Sequence, residues 1–144
     1  MDAVEQIVAI EDIRRLKARY CHLIDGKEWP AYGDLFTEDA VMEMGTIRAE
    51  GREAIVDFVS TAIGEVKTAH NAHSPAIDIH SDQEASATWG ITFVQEQNKM
   101  NGWGFYYETY RRAPGGPWQI ATFAERTTFF SGTDVVLEAV VEAG

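Results

Sequence analysis

The sequence predicts an α+β domain in which helices cover one face of a curved sheet. Three observations carry this expectation: helical periodicity over the first third, a switch to a period of two after about residue 70, and strong turn signals that cut the later part into successive strands. In the first segment Ile7, Ile10, Ile13, Leu16, Tyr20 and Leu23 recur at spacings of three and four, and Gly26 supplies a stop. Trp29 to Phe36 reads as a short second helix with Pro30 in its first turn. Ala40 to Met44 reads as a short strand. A third helix opens at Gly51-Arg52, carries Ile55, Phe58, Val59 and Ile63 as its apolar stripe, and ends at Gly64.

Strands are expected over Asn71 to His80, Ala85 to Gln95, Trp103 to Arg112 and Trp118 to Phe130. Residues 97–102 and 113–117 are the turns between the last three. Asp134 to Ala143 is expected to be a terminal helix or an exchanged arm. With 144 residues, no linker and no repeat, residues 1–144 are expected to form a single domain.

Composition narrows the partners. A net charge of -11 argues against nucleic acid, which needs a basic surface, and against an anionic membrane. The N-terminal residues lack a basic segment followed by an apolar run, and no apolar stretch approaches the ~20 residues that span a bilayer. A cytoplasmic protein is expected. Cys21 is the single cysteine, so no internal disulfide forms. No nucleotide loop, metal-binding helix pattern or serine elbow is present, and no metal or cofactor is expected.

The order of elements, and the residues that carry it, resembles the cone-shaped nuclear-transport-factor-two-like superfamily. Within it the chain is similar to the SnoaL-like branch, which includes scytalone dehydratase, bile-acid 7α-dehydratase and hexachlorocyclohexane dehydrochlorinase. The resemblance rests on Ala9 to Val41, on Gly51 to Ile55, on His70 to Ile79, and on Tyr110-Arg111-Arg112 with Trp118-Gln119-Ile120. It implies a cone of mixed or antiparallel strands wrapped around a pocket, with three N-terminal helices. It also implies an aspartate–histidine dyad, here Asp25 and His73, with Tyr20 five residues before the aspartate. Glu96 is the nearest match to a further acid on the next strand, and Arg126 to an arginine near the last strand.

Read from the residues alone, these candidates keep two readings. Asp25 with Glu28 fits a capping box for the second helix, yet an acid at the C-terminal end of the first helix opposes the helix dipole and calls for a partner. His73 shares parity with Pro75, Ile77 and Ile79 and so is expected to face the interior, whereas His70 and His80 fall on the other parity. Tyr20 is either a core aromatic or a hydrogen-bond donor to substrate. Trp29, Met42, Phe58 and Trp89 are expected to line the pocket or to belong to the core.

The resemblance implies a cofactor-independent lyase, a dehydratase or related elimination, acting on a small hydrophobic cyclic molecule. Asp25 would orient His73, and His73 would take a proton beside a leaving group. The alternatives are a ketosteroid-isomerase-like or polyketide-cyclase-like isomerase, and a non-catalytic cone that binds a small ligand or serves in an assembly. The family also implies a homo-oligomer, a trimer or a dimer.

Overall fold

The computed structural model describes residues 1–96 and 101–131. Helix α1 spans Ala3–Asp25, α2 Trp29–Gly33 and α3 Arg52–Ile63. The strands are β1 Phe36–Met44, β2 Ile47–Glu50, β3 Thr68–Ile79, β4 Glu84–Gln95, β5 Asn101–Arg111 and β6 Gln119–Ser131. They form one six-stranded sheet in the order β2-β1-β6-β5-β4-β3. All neighbours are antiparallel except β1 and β6, which run parallel. The sheet is curved and unclosed, and the helices lie on its inner face: the α+β cone expected from the sequence.

Local signals explain most boundaries. Asp2 accepts from the Glu5 N–H while the Glu5 carboxylate accepts from the Asp2 N–H, a reciprocal cap that starts α1. Gly26 ends it, its N–H donating to the His22 carbonyl. Gly51 precedes α3 with φ 91, and Gly64 follows it with φ 55, backbone angles that glycine adopts without a Cβ penalty. Buried residues of the helices and of the inner sheet face, among them Ile13, Tyr32, Phe36, Met42, Ile55, Ile120 and Phe123, make one core.

The structure departs from the expected elements at four places. The second helix stops at Gly33, because Phe36 already pairs with Ile120 in the sheet. The strand expected over residues 40–44 therefore begins four residues earlier. An additional short strand, β2, turns back on it through Gly45. Helix α1 is also rotated relative to the expected stripe: Ile7 is exposed, and Ala9, Ile13, Leu16, Lys17, Tyr20, Cys21 and Ile24 face the core.

The fourth departure lies in β3, whose register slips between His73 and Ala76, with Ser74 at φ 47. A bulge of this kind adds a residue and reverses the side-chain parity beyond it. Thr68, His70 and Ala72 face inward before the bulge; Pro75, Ile77 and Ile79 face inward after it. The expected turn over 97–102 lies partly, and the expected terminal helix or arm over 134–143 wholly, outside the described residues. Among the described residues, no helix is long and apolar enough to cross a membrane.

Candidate active site

Asp25 is the last residue of α1, and β3 begins beside it. Lys27 fixes that approach: its ammonium donates to the Val66 carbonyl at 2.7 Å, tying the turn after α1 to the segment that enters β3. Because β3 is an edge strand, N–H groups on its free side have no strand partner. Asp25 satisfies one of them. Its Oδ2 accepts from the His70 N–H at 2.8 Å, while Oδ1 accepts from the Thr68 hydroxyl at 2.9 Å and faces His70 Nδ1 at 2.7 Å.

The carboxylate thus answers the question posed by its place at a helix C-terminus. It does not cap α2, whose N-cap is Glu28 without a side-chain bond. Burial pushes the Asp25 carboxyl up, but the hydrogen bonds from the His70 ring and backbone, the His70 charge and the Thr68 hydroxyl together outweigh it and hold the group below its ordinary value. A carboxylate facing Nδ1 selects the tautomer with the proton on Nδ1, which leaves Nε2 with a free lone pair. Among the described residues Nε2 makes no hydrogen bond. The His70 side chain is 13% exposed and that of Asp25 25%, so the pair is sheltered but reachable. Phe93 stacks on the imidazole at 5.9 Å and Phe130 meets Phe93 edge-on, giving the ring an apolar wall.

The expected partner of Asp25 was His73, and here the structure corrects the sequence reading. His73 is exposed, its Nδ1 lies 3.4 Å from the Ser74 hydroxyl, and its ring lies over Gly90 on the outward face of the sheet. The parity argument failed because it carried a regular alternation through the bulge at Ser74. His70, assigned to the outside by the same argument, faces in.

The remaining candidates are dispersed. Tyr20 is buried in a cluster with Tyr32, Phe36, Tyr106 and Phe123, ring centroids 5.3 to 6.3 Å away. The hydroxyls of Tyr20, Tyr32 and Tyr106 are all raised in pKa, chiefly by burial. Trp29 and Phe58 pack against the core from part-buried positions, and Met42 is fully buried within it. Trp89 donates from Nε1 to the Tyr110 hydroxyl at 2.9 Å deep in the same core. Glu96 is exposed, its carboxylate 3.5 Å from the Lys67 N–H, and Arg126 is exposed on the outward face.

Three charged residues that the sequence reading passed over lie inside. Lys17 is 1% exposed and forms an ion pair with Glu108, which also accepts from the Tyr110 hydroxyl. The ammonium sits 3.9 Å from the ring centres of both Tyr20 and Tyr106. Glu125 is the third: inward-facing on β6, paired across to Tyr106, it accepts from Thr127 Oγ1 at 2.8 Å. Signals for all three were present. Lys17 is four residues after Ile13 and three before Tyr20, Glu108 sits between Tyr106 and Tyr110 at alternate positions, and Glu125 is two after Phe123.

A surface groove of about 540 Å³ is on the opposite side of the sheet, lined by Glu43, Arg48, Thr88, Tyr107 and Thr122 among others. It does not touch Asp25 or His70.

Residues 5–124 match the family model described as a SnoaL-like domain. Among solved structures, a candidate scytalone dehydratase from Novosphingobium aromaticivorans superposes with a TM-score of 0.86 at 23% identity, over 96% of this chain and 95% of that one. A hexachlorocyclohexane dehydrochlorinase from Novosphingobium barchaimii gives 0.79 at 13% identity, over 94% and 97%. The ActVI-ORFA protein of Streptomyces coelicolor gives 0.72 at 15%, over 83% and 97%. At these identities the likeness is one of fold.

Proposed function

Because the chain belongs to the SnoaL-like family, with the nuclear-transport-factor-two-like fold, we propose that it is a small-molecule lyase in which Asp25 and His70 form the acid–base pair. The observation that carries this is the Nδ1-to-carboxylate contact at 2.7 Å, with Nε2 left unengaged among the described residues. His70 Nε2 takes a proton from carbon next to a carbonyl, and Asp25 stabilises the imidazolium that forms. A tyrosine hydroxyl whose pKa is raised by burial remains a proton-bearing donor, suited to the carbonyl oxygen on which negative charge develops. Tyr20, the tyrosine expected from the sequence, lies in the buried tyrosine cluster with Tyr32 and Tyr106 and is the candidate for that part. The neighbouring dehydratase and dehydrochlorinase structures bear names of eliminating enzymes, and elimination is the reaction we assign. The apolar wall of Phe93 and Phe130 favours a hydrophobic cyclic substrate.

The test is turnover of a panel of cyclic β-hydroxy ketones, followed by the ultraviolet absorbance of the enone formed. For a ketone that the wild type dehydrates, H70A is expected to lower kcat by about 10²- to 10⁴-fold, whereas H73A stays near wild type. The reverse ranking would overturn the assignment.

A second reading is favoured by one observation, the close aromatic packing around Tyr20 together with a groove on the outward sheet face. In that reading the chain is a binding or assembly cone. It predicts no turnover of the panel. Exposed Phe105, Tyr107 and Phe129 on the outward face suit the homo-oligomer, trimer or dimer, that we propose under either reading.

A further inference from the structure

Four residues stand side by side across the sheet: His70 of β3 pairs with Phe93 of β4, Phe93 with Gly102 of β5, and Gly102 with Phe130 of β6. Cross-strand partners point to one face of a sheet, here the inward face that carries His70. The third place in this row has no side chain, and Phe93 takes up the space. A Cβ on Gly102 would lie 2.3 Å from both Cε1 and Cζ of Phe93, so the ring lies directly over the β5 backbone. Strands β4 and β6 are two places apart, about 10 Å. Their Phe93 and Phe130 ring centres are nevertheless only 6.2 Å apart, with the planes at 74°. On its other side Phe93 stacks on the His70 imidazole at 5.9 Å, with 20° between the planes.

We propose that Phe93 is a positioning residue for His70, and that Gly102 is the residue that lets it act. The inference rests on the assignment of His70 as base. Asp25 holds the imidazole at one atom, Nδ1, and holds the His70 N–H at the backbone end. A hydrogen bond accepts a spread of angles about its line, and the torsion that turns an imidazole about its Cβ–Cγ bond is broad. The ring plane therefore needs a further contact, and Phe93 supplies it with a flat face. The Phe93 ring is itself held on two sides, by the Gly102 backbone beneath it and by the Phe130 ring. The constraint runs from Gly102 to Phe93 to His70, and it fixes the plane in which the Nε2 lone pair lies.

Alignment of this kind acts on the chemical step. A base presents its lone pair along one direction in the ring plane, and a misplacement of ~1 Å costs about 10²-fold in rate. Groups that hold a base to within ~10–20° do so because packing locks their own rotamers. Phe93, 7% exposed and pressed between two neighbours, meets that condition. At Gly102 the three atoms nearest to an added Cβ all belong to Phe93. Alanine at that position thus displaces the ring that steers His70 and leaves the Asp25 contact in place.

The test uses full-length G102A, F93L and the double variant, with two readouts. The first needs no substrate. Nuclear Overhauser contacts between the His70 and Phe93 ring protons are expected in wild type and lost in G102A, while the Nδ1–H tautomer of His70 persists. In F93L, which keeps apolar bulk without a flat face, the His70 ring-proton shifts are expected to move. Contacts absent from wild type or unchanged in G102A, or His70 shifts unmoved in F93L, overturn the inference. The second readout is turnover of the cyclic β-hydroxy ketone that wild type dehydrates most rapidly. F93L and G102A are each expected to lose about 10- to 10²-fold in kcat with little change in KM. G102A/F93L is expected to lose no more than F93L alone, because both substitutions act through one ring. Additive losses, or wild-type kcat in F93L while H70A is inactive, overturn the positioning role and leave the base assignment standing. An H70A enzyme as active as wild type is instead the failure of the base assignment, and the positioning role falls with it.

Discussion

At the scale of single residues, one carboxylate draws on three donors. Asp25 accepts from Thr68 and twice from His70, and its carboxyl is held below the usual aspartate value. A depressed carboxyl contributes stability that is present above the unfolded-state value and lost as pH falls through the folded one. Wild type is therefore expected to exceed D25N in urea-unfolding stability at neutral pH, with the difference shrinking below ~pH 4. A difference that stays constant from pH 7 to pH 3 would contradict the bonded carboxylate. The sequence made Asp25 legible as an acid in need of a partner, because a helix C-terminus disfavours it. It did not make the partner legible. His70 and His73 differ by three residues, so a single parity error exchanges them, and Ser74 carries no residue-type signal for a positive φ.

At the scale of elements, helix α1 and strand β5 are joined by the buried pair Lys17 and Glu108, with Tyr110 and Trp89 extending it. Removing one member strands the other charge in the core, at a cost of about 3–5 kcal/mol, whereas replacing both with apolar residues is far less harmful. K17M is expected to lose stability on that scale in urea unfolding, and K17M/E108L to regain a large part of it. A double variant no more stable than K17M would show that the pair does not act as a unit. Both charges occupy inward positions by periodicity, so the pair was legible in principle. It was missed because the α1 stripe was read through Ile7 and Ile10, which shifts the inward face away from Lys17. β2 and the parallel docking of β1 on β6 were not legible at all: a four-residue strand carries too little periodicity, and parallel pairing depends on contacts about eighty residues apart.

At the scale of the whole molecule, the cone brings together groups that are far apart in the chain: Asp25 of α1 meets Thr68 and His70 of β3, and Lys17 of α1 meets Tyr106 and Glu108 of β5. The fold class, the helices and the four long strands followed from alternating and helical periods and from the glycines and prolines between them. The site followed only in part, since convergence depends on the bulge in β3 and on the curvature of the sheet, which single-residue patterns do not encode. The central claim is that Asp25 fixes His70 as an imidazole with a free Nε2. Its most direct test is nitrogen-15 correlation spectroscopy of the histidine rings at a pH where the His70 ring is neutral. The account predicts the Nδ1–H tautomer for His70 in wild type and a shift toward Nε2–H in D25N; an Nε2–H tautomer for His70 in wild type would contradict it.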